Sequence, residues 1–331
     1  MPLRFSCRHA LLGRGERGIR VLCALLLAAL VLSPLIRPAV ASTLRVGQGE
    51  RFATPSAAAA AARPGDRILI RPGTYRDCAT WRTPDLTIEA EGGPGAGPVV
   101  ITGPVCGGKA LFVVAAPRIT IAGLTFRGAV APPGNGAGIR AEGGDLTILR
   151  SRFENNQNGI LTAANIPAAR LVIEDSVFVG NGALIGDCAH GLYANTLALL
   201  AIRRSRFEGT RICHHIKSRA VRTEITDSAI LDSPGERASY QVDIPHGGDL
   251  VLVRNTIRKG PTSGNPSVSV VIGAEGIRHP TRTLLFEANR FENLLPRETV
   301  FVRNLSSAPA TLSRNALSGR VVPLEGPGTV R

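Results

Sequence analysis

The sequence predicts an all-β chain wound as a parallel β-helix, a solenoid of about 8–10 rungs with a short N-terminal capping helix. Three observations predict it. The pattern aliphatic-x-x-(Ser/Asn)-x-(Phe/Ile/Leu) recurs as ILRSRF from Ile148, IEDSVF from Ile173, IRRSRF from Ile202, ITDSAI from Ile225 and LVRNTI from Leu252. FEANRF from Phe286 and LSRNAL from Leu312 continue it, and IAGLTF from Ile121 is an earlier copy without the polar residue. Start-to-start spacings run 27, 25, 29, 23, 27, 34 and 26 residues. Between copies lies a second short strand: GIRAE, GILTA, GLYAN, HIKSR and QVDIP. The L-x-x-L-x-L periodicity of a leucine-rich horseshoe is absent.

Strands this short alternate in and out, and none buries its apolar face alone. Stacking one turn on the next buries a continuous column of Ile, Leu and Phe. Ser151, Ser176, Ser205, Ser228, Asn255 and Asn289 then occupy one fixed place per turn, where side chains bond along the stack. Ahead of the repeat, TPSAAAAAAR (Thr54 to Arg63) has a Thr/Ser start, a first-turn proline and an alanine run, and reads as a short helix. Laid over the open end, it blocks strand addition. Residues 42–80 are thus expected to form the cap and first strand, 81–320 the β-helix, and 321–331, with Pro323 and Pro327, a loose tail. Gly and Asn in NGAGIR and DSPGE mark tight corners.

Residues 1–41 read as a signal peptide. Five arginines precede the apolar run VLCALLLAALVL, which is short for a bilayer, and Ala39-Val40-Ala41 is a small-x-small cleavage site. Cleavage after Ala41 predicts a periplasmic or secreted protein with no membrane span in the mature chain. It also removes six Arg and one Glu, lowering the formal charge from +14 to about +9. That excess suits an acidic partner such as a polyanionic glycan. Export and scarce aromatics exclude nucleic acid. A general preference for Arg, 36 against only Lys109, Lys217 and Lys259, accounts for part of the charge and makes each lysine informative. Cys78, Cys106, Cys188 and Cys213 allow three disulfide pairings, and one-turn separations favour Cys78–Cys106 with Cys188–Cys213. No C-x-x-C spacing points to a metal.

Aligning the second strands stacks Ile139, Ile160, Leu192, Ile216 and Val242 toward the core. One outward column is then Arg140, Leu161, Tyr193, Lys217 and Asp243. Its expected neighbour is Gly138, Gly159, Gly191, His215 and Gln241, the glycines leaving a groove, with Asn195 and Arg219 one step beyond. Rungs lie about 4.8 Å apart, so these side chains share one patch. Such a patch suits proton abstraction beside a carboxylate, with Lys217, Arg219, His215 and Tyr193 as catalytic candidates. Arg holds a carboxylate bidentately, cations favour a lysine base, and Tyr or His supplies the acid. Asp243, Asn195, Gln241 and Arg140 are candidates for substrate binding. The competing reading makes Lys217–Asp243 an inter-rung ion pair on a solvated face. His190, His214 and Tyr240 align as a structural ladder or secondary site. His246 reads as a turn residue, His279 as surface loop, and Glu275 as a group that reaches the patch from the following rung.

CGGKALFV, NGAGIRAEGGDLTI, ENNQNGIL, HGLY, HHIKSRA, SYQVDIPHGG and NPSVSVVIGAEG follow in an order that resembles a family of exported bacterial right-handed β-helix proteins of the pectin-lyase-like superfamily. The resemblance spans roughly residues 44–305 and implies a right-handed helix. It leaves activity open, since this fold carries many chemistries. More distantly, Lys217-Ser218 resembles the element that supplies the base in calcium-assisted alginate and chondroitin lyases. The arginine expected one rung on is replaced by Val242 and Asp243, and the family's Asn before a double glycine is His246. The expectation is an exported protein that binds an acidic polysaccharide and cleaves or epimerises it by C5 proton abstraction. The alternative is a non-catalytic glycan-binding or structural envelope protein. The sequence points to no particular cofactor, and the resemblance admits calcium. Nothing in the sequence reads out oligomeric state.

Overall fold

The computed structural model describes residues 41–92 and 97–331, so the signal-peptide assignment lies outside the described residues. Three parallel sheets of 12, 10 and 10 strands run the length of the solenoid, which makes about 11 turns. The first sheet begins at Thr43–Val46 and ends at Gly328–Val330. The second runs from Gly73–Arg76 to Ala316–Ser318, and the third from Ala79–Trp81 to Val321–Glu325. This exceeds the 8–10 rungs expected. The early strands RILI and TIEA stack in register without carrying the Ser/Asn motif that marks a rung in sequence.

The tail expected to be loose is also strand. Val321–Glu325 pairs with Thr299–Asn304, and Gly328–Val330 with Ala310–Leu312. Pro323 is tolerated because its strand is the outermost of its sheet, where a missing N–H breaks no further ladder. Residues 42–80 likewise hold four strands and one α-helix, Pro55–Ala61. The Thr54 hydroxyl accepts the Ala57 N–H at 3.3 Å, and Ala58 joins the core.

One corner repeats in every central turn. Arg150, Asp175, Arg204, Asp227, Arg254, Ala288 and Arg314 all hold φ between 46° and 56°, a region that costs a non-glycine residue energy. The ladder expected from the sequence follows each of them. Ser151 N–H donates to Ser176 Oγ at 3.1 Å, Ser176 to Ser205 at 3.1 Å and Ser205 to Ser228 at 3.0 Å. Asn255 and Asn289 continue the chain. Each buried hydroxyl satisfies a corner N–H that the turn leaves without a ladder partner. Inside, Phe126, Phe153, Phe178 and Phe207 stack with centroids 5.2, 4.5 and 4.3 Å apart. Both favoured disulfides are present, Cys78–Cys106 and Cys188–Cys213.

Candidate functional site

The third sheet positions the site. Its central strands are Ala137–Ala141, Asn158–Thr162, Leu192–Ala194, Ile216–Ser218 and Val242–Ile244. Ile139, Ile160, Leu192, Ile216 and Val242 pair in sequence, fully buried. The alternate residues Arg140, Leu161, Tyr193, Lys217 and Asp243 therefore form the outward column in the expected register.

Around Lys217 this column condenses into a charged cluster. Lys217 Nζ lies 2.6 Å from Glu275 Oε1 and 3.4 Å from Asp243 Oδ2. Arg219 Nη2 donates to Glu275 Oε2 at 2.6 Å, while its Nη1 donates to the Tyr193 hydroxyl and, at 3.2 Å, to Asn195 Oδ1. Both cations also lie over the Tyr193 ring, at 5.7 and 5.2 Å from its centroid. His246 Nε2 approaches Glu275 Oε2 at 3.4 Å, and His279 shares a hydrogen bond of 3.0 Å with the Arg219 carbonyl. Lysine and arginine thus close on the two oxygens of one carboxylate. Glu275 lies on the segment after Val268–Ile272, held by its N–H to the Pro245 carbonyl at 3.0 Å.

Two expected members are elsewhere. His215 and Gln241 are fully buried and point into the solenoid, so neither takes the outward catalytic or substrate-binding place predicted for it. Their strands begin only at Ile216 and Val242, and strict in-out alternation stops at the corner before them. The glycines of that column open no groove either. A Cβ on Gly138 or Gly159 would come within 2.9 or 2.6 Å of the Phe153 or Phe178 ring. Where the phenylalanine column gives way to Ile230 and Ile257, His215 and Gln241 occupy the interior instead. There His215 Nδ1 meets Thr210 Oγ1 at 2.9 Å and Nε2 meets Asp232 Oδ1 at 2.8 Å. Asp232 also accepts from Gln241 Nε2 and from the Gly260 N–H. Burial pushes the Asp232 carboxyl up, but the His215 bond and the charges of His215 and Lys259 outweigh it and hold it low.

His190, His214 and Tyr240 form a stack with centroids 4.8 and 4.9 Å apart. His190 Nδ1 accepts the His214 N–H at 3.1 Å and His214 Nδ1 accepts the Tyr240 N–H at 3.3 Å. Burial, then the Lys217 charge, brings His214 down to about 3, so its imidazole is neutral near pH 7 and carries its proton on Nε2. That nitrogen lies 3.5 Å from Asp243 Oδ2, which ties the ladder to the charged cluster.

The carboxylates diverge. Burial raises Asp243 to about 6, with Glu275 adding to the rise against the opposing pull of Lys217, and its Oδ1 is buried without a hydrogen-bond partner. Glu275 is exposed. Desolvation raises it, but hydrogen bonds from Lys217 and Arg219 prevail and bring it to about 2. Burial keeps the Tyr193 phenol above its ordinary range despite the Arg219 and Lys217 charges.

Calcium finds no donor set here. It needs six to eight oxygens, and among the described residues no group of three or more His, Cys, Asp or Glu gathers to hold a metal. The site's two carboxylates face an ammonium and a guanidinium.

His246 is more than the turn residue, and His279 more than the surface loop, that the sequence predicts. Both enter the site because Gly247 and His279 bridge as parallel backbone, folding the loop back over Arg219. The GAEG turn was the available signal: two glycines flank Glu275, both at positive φ.

No protein-family model matches the chain, and no curated protein matches it. Among solved structures, an alginate lyase from Paenibacillus sp. str. FPU-7 superposes with a TM-score of 0.55 at 17% identity, over 87% of this chain and 99% of that one. A mutant of the PL6 family alginate lyase AlyGC gives 0.47 at 17% identity, over 86% of this chain and 41% of that one. A pectin methylesterase in complex with a hexasaccharide gives 0.35 at 13% identity, over 86% and 81%. At this identity the likeness concerns the fold alone: the chain carries a parallel β-helix fold.

Proposed function

We propose that this is an exported, right-handed β-helix protein that binds an acidic polysaccharide along the outer face of its third sheet and abstracts the C5 proton of a uronate residue. The helix Pro55–Ala61 acts as the N-terminal cap, and cleavage after Ala41 delivers the chain to the periplasm or exterior. Two disulfides suit an oxidising compartment. No helix among the described residues is long and apolar enough to cross a membrane.

One observation carries the reading: Lys217 and Arg219 converge on the two oxygens of a single carboxylate beside the Tyr193 hydroxyl. A uronate carboxylate in the place of Glu275 is neutralised by Arg219, which acidifies its C5 proton. Lys217 is the base. Asp243, 3.4 Å from Lys217 Nζ and raised to about 6 by burial, stores the proton that Lys217 gives up. Tyr193, kept protonated by burial, donates to the leaving oxygen in cleavage or to the opposite face in epimerisation. Asn195 orients Arg219.

A second reading, glycan binding without turnover, is favoured by the engagement of Lys217 with two carboxylates at once. A panel of alginates, pectates and glycosaminoglycans separates the two. Catalysis gives ultraviolet absorbance from an unsaturated uronate, or NMR signals of an epimerised one, and Lys217→Ala abolishes them. Binding without either product establishes the second reading. Unchanged binding and turnover in Lys217→Ala would remove the site assignment from both.

A further inference from the structure

The third sheet carries a second cluster built like the first. Lys109 Nζ donates to Glu142 Oε1 at 2.8 Å, and Arg140 Nε lies 3.5 Å from the same oxygen. Arg140 Nη1 donates to Asn135 Oδ1 at 3.1 Å, as Arg219 Nη1 does to Asn195 Oδ1 at 3.2 Å. Each cluster holds one lysine, one arginine, one asparagine and one glutamate, to which the first adds Asp243, Tyr193 and His246. In each, the arginine Nε is buried and makes no hydrogen bond. An orphaned guanidinium N–H is costly unless something reaches it, and in both places the free donor belongs to an arginine already turned toward a carboxylate.

Composition strengthens the parallel. The chain has three lysines against 36 arginines. One, Lys259, is buried in the core, where its ammonium donates to the Ser239 and Asn265 carbonyls. The other two belong to these clusters. Both stand beside an arginine, which gives a carboxylate one point charge and one planar fork.

The register sets their separation. Arg140 pairs with Leu161, Leu161 with Tyr193 and Tyr193 with Lys217. Three rung steps span about 14 Å. The floor between is the Leu161 side chain and the Tyr193 ring, and a cavity of about 170 Å³ opens there, with Asn135 and Asp187 also on its walls. The Asp187 carboxylate disfavours an acidic group at that middle position. A cationic cradle, a trough with the Asp187 carboxylate on its wall and a second cationic cradle thus follow one another along the stacking direction.

We infer that Lys109 and Arg140 form a second carboxylate subsite, and that the ligand is a chain of acidic sugars lying along the solenoid with one carboxylate in each cradle. Glu142 and Glu275 hold the two cradles until the ligand's own carboxylates displace them. This rests on the acidic-glycan reading and extends it by fixing the ligand's direction and minimum length.

Calorimetric titration of the full chain with a uronate disaccharide and a uronate octasaccharide tests it. Replacing both Lys109→Ala and Arg140→Ala weakens the octasaccharide on the order of tenfold, the loss of a charge-assisted contact. The disaccharide, taken by the more enclosed Lys217 cradle, shifts less than about twofold. Glu142→Gln, which removes the resident competitor and leaves the packing intact, strengthens the octasaccharide. Thermal unfolding of each variant confirms that it is folded. Equal losses for both lengths, or none for either, would overturn the second subsite while leaving the first in place. An unaltered or weakened octasaccharide with Glu142→Gln would overturn the displacement. If no acidic oligosaccharide binds the unmodified chain, the glycan reading falls and takes the subsite with it.

Discussion

Lys217 donates to Glu275 at 2.6 Å although Glu275 follows a strand two rungs further on, with Asp243 on the rung between. A lysine that spans Asp243 and Glu275 makes the site's charge state a property of all three groups.

Glu275 has a folded-state value of about 2, below its ordinary 4.5. A depressed carboxyl contributes stability above its unfolded value and loses it as pH falls through the folded one. The wild-type protein is therefore expected to lose melting temperature between pH 4.5 and 2 more steeply than Glu275→Gln. Parallel melting curves for the two proteins across that window would refute the ion triad.

Asp243 has the opposite sign. Raised from 3.8 to about 6, it favours the folded state when protonated, and that contribution disappears as pH rises from 3.8 through about 6. Asp243→Asn should flatten this part of the stability profile, read by thermal unfolding at closely spaced pH. A variant whose profile still descends there would place the titration elsewhere. The activity of the wild type, if Asp243 stores the Lys217 proton, changes across the same interval.

Ser176→Ala tests the corner ladder. Ser176 Oγ accepts the Ser151 N–H at 3.1 Å and donates to the Glu174 carbonyl at 2.8 Å, in a buried setting. Alanine leaves that N–H buried and unpaired, at a cost of about 1–3 kcal/mol in urea unfolding. A change below about 0.5 kcal/mol would mean that the corner relaxes without the hydroxyl.

His215→Leu separates interior from site. It strands Thr210 and Asp232 in the core and is expected to destabilise the fold by about 1–3 kcal/mol or more. Glycan affinity at a temperature where the variant is folded should stay within about twofold. Lys217→Ala should do the reverse, losing about tenfold or more in affinity. A His215 variant that folds well and fails to bind would return that residue to the site.

The rung register was legible because strands of period two can bury only one face, and the Ile139-to-Val242 column has no other solution. The ladder from Ser151 to Asn289 was legible for a related reason: a polar residue repeated once per turn has to meet its own copies. His215 and Gln241 turn inward because alternation ends with the strand, and the corner before it has a geometry the pattern does not encode. The first turns and the last escaped the motif count because they stack without the polar marker.

What the sequence determined by itself is the stack: its period, its buried column, its one-turn disulfides and the presence of Tyr193, Lys217 and Arg219 on one surface. These follow from nearest-neighbour rules that repeat every turn. Only the tertiary structure decided the partners of that surface. Glu275 and His279 arrive on a loop of irregular length between Val268–Ile272 and Leu284–Glu287, in the longest interval of the repeat, and His246 on the turn after Val242–Ile244. His214 joins through a stack of rings across three rungs. Loop insertions break the periodicity from which the rest was read, so their placement depends on contacts that no local pattern specifies.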